Sequence, residues 1–115
     1  ILAGPFLERH YAALSGQQRP LAEVAERADS GEDPHATATI DRLVTYFGMA
    51  IASVINVVDP HVVVLGGGVS NVDALYTRGV EEVEQFVFNH RLDTRIVRHE
   101  LGDSAGVFGA AMLVA

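Results

Sequence analysis

The sequence predicts an α/β fold, rich in helix and built around a short parallel βαβ unit. Two runs supply the strands. His61-Val62-Val63-Val64-Leu65 is continuously apolar over strand length, the pattern of a strand covered on both faces. Thr94 to Leu101 alternates, with Ile96 and Val97 strong and His99 and Glu100 weaker. The third observation is the stretch between them, residues 66–93, which carries a helical period. It is longer than the dozen or so residues that a parallel crossover needs.

The elements follow in order. Gly4-Pro5 opens a first helix, with Pro in the first turn where its missing N–H costs nothing; Leu7, Tyr11 and Leu14 form its face and Gly16 its stop. Leu21 to Ala28 is a second, short helix with Leu21, Val24, Ala25 and Ala28 on one side, ended by Ser30-Gly31. Asp33-Pro34 pairs an N-cap side chain with Pro at the first helical position. Ile40, Leu43, Val44, Phe47, Ile51, Val54, Ile55 and Val58 then hold the helical period until Asp59-Pro60 ends it. That helix is expected to pack across the strands, with Gly48, Ala50, Ala52 and Ser53 giving it a second face of small residues. After the glycines at 66–68, Ser70-Asn71-Val72-Asp73 resembles a capping box, and Leu75, Tyr76, Val80, Val83 and Val87 continue as a fourth helix. Gly102-Asp103-Ser104 is read as the cap of a terminal helix from Ala105 to Ala115. Two strands cannot bury both faces of Val62 to Val64, so partner strands are expected from upstream residues or another chain.

Composition narrows the function. The chain has 115 residues, fitting one domain, with 8 Lys and Arg against 15 Asp and Glu and a net charge of −7. No basic cluster exists, which excludes a nucleic-acid or anionic-membrane surface. There is no Cys, so disulfides, thiol nucleophiles and Cys-type zinc ligands are ruled out, in keeping with a cytoplasmic setting. Asp41, Arg42, Asp59 and His61 interrupt the longest apolar stretch, and no bilayer span is expected. Ile1-Leu2-Ala3 has no initiator Met and no signal-peptide character, and reads as the interior of a longer chain.

Two glycine segments are candidate ligand sites. In open α/β sheets ligands bind beyond the carboxyl ends of strands, where Gly66-Gly67-Gly68 stands. Glycines there permit positive φ and close backbone approach to a flat ligand, although a tight turn that binds nothing has the same sequence. Gly102-Asp103-Ser104-Ala105-Gly106-Val107-Phe108-Gly109-Ala110-Ala111 again follows a strand, and is either an anion-binding helix start or a simple cap. His10, His35, His61, His90 and His99 lack metal-ligand spacing, and Glu81, Glu82 and Glu84 read as a solvated helix face. No carboxylate has the context of a general base.

Taken together, Asp59-Pro60-His61-Val62-Val63-Val64-Leu65-Gly66-Gly67-Gly68-Val69-Ser70-Asn71-Val72-Asp73, Gln85-Phe86-Val87-Phe88 and the segment from Gly102 to Ala111 resemble the C-terminal part of the ROK family of sugar kinases and sugar-responsive repressors. The Ser-Asn-Val-Asp and Gln-Phe-Val-Phe stretches look most like its fructokinase and mannokinase branch. The resemblance covers essentially the whole chain, from Gly4-Pro5 onward. Ala3, Ala105 and Phe108 depart from residues frequent in the family.

The resemblance implies an actin-like (ribonuclease H-like) ATPase fold that closes over ATP and a hexose. Residues 1–115 would be a single partial domain, the C-terminal portion of the kinase. It implies that Gly66, Gly67, Gly68 and Val69 lie against adenosine, that Mg²⁺ accompanies the phosphates, and that the substrate is fructose, mannose or glucose. A homodimer is the expected assembly. The catalytic Asp, the phosphate loops and the zinc motif of such kinases would lie upstream, leaving no catalytic residue and no zinc ligand here. The segment by itself is then expected not to phosphorylate a sugar. Two other readings use the same residues: the effector-binding part of a ROK repressor, and a non-catalytic oligomerisation module.

Overall fold

In the structure, a computed structural model, residues 4–88, 92–99 and 111–114 are described, the last four by backbone alone. Helix α1 spans Gly4–Ser15 and buries Leu7 and Tyr11, while Leu14 is turned outward. Helix α2 spans Leu21–Ser30 and buries Leu21 and Val24, with Gly31 as its left-handed C-cap. Both stops stand where the sequence places them.

Helix α3, Pro34–Val58, begins on a side-chain cap. The Asp33 carboxylate accepts from the backbone N–H of His35 at 3.0 Å and of Ala36 at 3.2 Å. This satisfies two of the free N–H groups that open any helix. The same carboxylate accepts from the Tyr11 hydroxyl at 2.6 Å and Arg27 Nε at 2.8 Å, so one residue fastens α1, α2 and α3 together. The Tyr11 hydrogen bond first, then Arg27, hold Asp33 well below the usual carboxylate range. A carboxylate with a depressed folded-state pKa contributes stability above its unfolded value of about 3.9, and that contribution is lost as pH falls through the folded value. The melting temperature is therefore expected to fall as the buffer is taken below about pH 4, and to fall less steeply in Asp33→Asn. Parallel pH profiles for the two proteins would show that Asp33 is not part of the acid response.

The expected stripe on α3 is buried at Ile40, Leu43, Val44, Phe47, Ile51 and Ile55. Val54 is only half-buried and Val58 is exposed. By length and composition α3 is apolar enough to cross a membrane, against the expectation from its charges, since Asp41 and Arg42 are too few to exclude it. Its packing is that of a core helix: it lies chiefly on α2 and on helix α4, Arg78–Phe86, with α1 beside them. Of the small face, Gly48 and Ala52 are buried while Ala50 and Ser53 are exposed.

Strand β1, Val62–Leu65, pairs in parallel with β2, Arg95–Arg98, as expected, with Val63 opposite Ile96. At the start of this pair, Thr94 Oγ1 donates to Pro60 O at 2.6 Å. At its end, His99 N–H donates to Leu65 O at 3.0 Å. Val63 and Leu65 join the single core cluster with Ile51 and Ile55, while Val62 and Val64 are only half covered.

Three expectations are corrected. The terminal helix from Ala105 to Ala115 is not formed at residues 111–114, which make strand β3 antiparallel to β1 in the order β2-β1-β3; Gly102 to Ala110 lie outside the described residues. β1 has backbone donors and acceptors along both edges and β2 satisfies only one of them, so an apolar run gains ladder hydrogen bonds on the other. The third strand thus comes from this chain, where upstream residues or another chain were expected to supply it. The capping box at Ser70 is not made either: two 3-10 turns, Gly68–Asn71 and Asp73–Tyr76, precede α4.

Candidate functional site

β1 delivers Gly66, Gly67 and Gly68 to the carboxyl end of the sheet. Gly66 and Gly67 are buried, and Gly68 is exposed. Gly67 adopts φ 80° and ψ −177°, a backbone region essentially closed to residues with a Cβ. At Gly68, no atom stands within 4 Å of where a Cβ would be. Val69 is buried in the core, so only its backbone can face a ligand. The turn is therefore main chain that opens to solvent at Gly68, fixed from beneath by β1 and Val69.

Side chains missed in the sequence hold this turn. The buried Ser70 hydroxyl donates back to Gly67 O at 2.5 Å, and its N–H donates to the same carbonyl at 3.1 Å. That bond is why Ser70 does not cap a helix: its hydroxyl is spent on the preceding turn. Ser70 O in turn accepts from the Tyr76 hydroxyl at 2.5 Å and Arg98 Nε at 3.0 Å. Arg98 Nη2 donates to Asp73 Oδ1 at 2.7 Å, and the guanidinium lies 4.8 Å from the centre of the Tyr76 ring.

Burial is the main cause that pushes the Tyr76 hydroxyl above its ordinary value, against the lowering effect of Arg98, so it stays a donor. The hydrogen bond to Asp73, then that to Tyr76, raise Arg98 and keep it a cation. The ion pair is largely solvated, with Arg98 42% and Asp73 84% exposed. Such pairs add only about 0–1 kcal/mol to stability. Nothing local in the sequence marks Arg98, which meets Ser70 across 28 positions.

The other candidates are not brought here. Among the described histidines, His35 and His61 are exposed and His10 and His99 half-buried. No group of three or more His, Asp or Glu among the described residues could hold a metal ion. Glu81 and Glu84 are solvated as expected, whereas Glu82 is half-buried against α3. A cavity of about 490 Å³ is lined by α1 and the loop to α2, including Glu8, Arg9 and Arg19, and not by the glycine turn.

Comparison with known proteins adds the rest. The sequence profile of the ROK family matches residues 1–115. The N-acetyl-D-glucosamine kinase of Aliivibrio fischeri is 34% identical to this chain, over 97% of it and 37% of that protein. That of Photobacterium profundum is 33% identical with the same coverage. The crystal structure of a ROK hexokinase from Thermus thermophilus superposes with a TM-score of 0.73 at 28% identity, over 88% of this chain and 34% of that one. The chain thus spans little more than a third of the length of the curated relatives it matches.

Proposed function

The chain belongs to the ROK family, and on that premise we propose that it is the C-terminal, adenosine-contacting segment of an ATP-dependent sugar kinase. The fold is that of part of an actin-like ATPase domain, shared with the ROK hexokinase. The observation that carries the reading is the main-chain turn at Gly66–Gly68: it stands at the ligand end of the sheet, and Gly68 leaves open space above it. A flat ring system can rest there against backbone without meeting a Cβ.

ATP would supply the phosphoryl group that is transferred. What this segment does is bind and orient the adenosine end. The turn is fixed before any ligand arrives, by β1, by Ser70 and by the contacts of Tyr76 and Arg98, and a preorganised surface loses less entropy on binding. Phosphoryl transfer itself depends on positioned phosphates, Mg²⁺ and a base. No residue of this segment is assigned those roles.

The acceptor is a hexose or an N-acetylhexosamine. Fructose, mannose and glucose follow from the branch resemblance; N-acetylglucosamine follows from the names of the relatives. A coupled assay on the full-length protein with each of these four sugars is expected to show ATP-dependent ADP release with at least one. A folded full-length protein that turns over none of them, and that carries a helix-turn-helix upstream, would favour the repressor reading.

A further inference from the structure

We infer that Arg98 is a positioning residue for the nucleotide, setting the glycine turn from the neighbouring strand; the inference rests on the reading of that turn as the adenosine site. Arg98 ends β2, beside the point where β1 passes into the turn. Through Nε it holds Ser70 O, and through Nη2 it holds Asp73, so both 3-10 turns behind the glycines are tied to the sheet by one side chain. Tyr76 supports it twice, offering its ring to the guanidinium and its hydroxyl to the same Ser70 carbonyl.

Ser70 is the residue whose hydroxyl and N–H both bond Gly67 O, so a shift of the Ser70 carbonyl is passed to Gly67 within three residues. The Arg98–Asp73 ion pair itself adds little stability, because a pair this exposed is screened by solvent. Its effect is geometric: it fixes the direction from which the turn meets a ligand.

The test is steady-state kinetics of full-length Arg98→Met, beside Arg98→Lys and Gly67→Val, with a melting curve for each. Methionine keeps an apolar stem against Tyr76 and loses both donors. The KM for ATP should rise about fivefold to tenfold, while the sugar KM stays within about twofold and Tm hardly moves, as expected for an exposed pair. Lysine keeps the charge but cannot reach Ser70 O and Asp73 with one fork, so it should recover only part of the loss. An unchanged ATP KM in folded Arg98→Met, with Gly67→Val impaired, would overturn the role of Arg98 and leave the nucleotide site standing. A parallel rise in both KM values with a lowered Tm would mean that Arg98 is merely structural, which also overturns it. If Gly67→Val leaves ATP affinity unaltered as well, the site reading itself fails and this inference with it.

Discussion

In the full-length protein, Gly67→Val is expected to weaken ATP binding at least tenfold while leaving sugar binding within about twofold. The backbone at this position has φ 80° and ψ −177°. Residues with a Cβ are excluded from that region at a cost of about 1–3 kcal/mol, and a β-branched side chain is the worst placed of all. Valine therefore either strains the turn or moves it. Each outcome displaces Ser70, which is bonded to Gly67 O through both its N–H and its hydroxyl. A loss of about 1.4 kcal/mol is already tenfold in affinity, so partial displacement suffices. Calorimetric titration of ATP and of the sugar, with a melting curve, separates a binding defect from a folding defect. Unaltered ATP affinity in folded Gly67→Val would show that the turn is not part of the nucleotide site.

Gly48→Ala is expected to destabilise the protein by about 1–3 kcal/mol, although alanine in a helix interior normally gains about 1 kcal/mol over glycine. Gly48 lies where α3 crosses α4. A Cβ there would stand 2.5 Å from Glu82 Cβ and 3.0 Å from the Glu82 backbone carbon. Neither neighbour is the mobile end of a side chain, so relief requires the helices to separate. The clash outweighs the propensity gain, and Tm should drop by about 2–4 °C per kcal/mol in a protein of the relatives' size. A Tm that is unchanged or higher would mean that α3 and α4 do not approach this closely.

What could be read from sequence was local. Gly16, Gly31 and the Asp33-Pro34 start are signals spelled within four residues, and all three stand where expected. The apolar run of β1 was legible from its unbroken valines, although its burial alternates, with Val63 and Leu65 in the core and Val62 and Val64 half covered. Local signals also failed locally. Ser70-Asn71-Val72-Asp73 has the spacing of a capping box, but the glycine turn before it offers Ser70 a nearer acceptor, and α4 starts only at Arg78. Ala111, Met112, Leu113 and Val114 are apolar enough for helix or strand, and the free edge of β1 decides between them. The glycines of the candidate site were visible; what holds them was not. Tyr76 and Arg98 reach Ser70 through the fold, across 6 and 28 positions, and no periodicity announces such a meeting.

In the proposed site adenosine rests on the main chain of Gly66 to Val69 at the carboxyl end of β1. A crystal structure of the full-length protein with a non-hydrolysable ATP analogue tests it most directly. The adenine and ribose should lie in van der Waals contact with the backbone of Gly66, Gly67 and Gly68, with the Arg98 bond to Ser70 O intact beneath them. A bound analogue whose adenosine lies elsewhere, with the glycine turn covered by protein or bare to solvent, would contradict it.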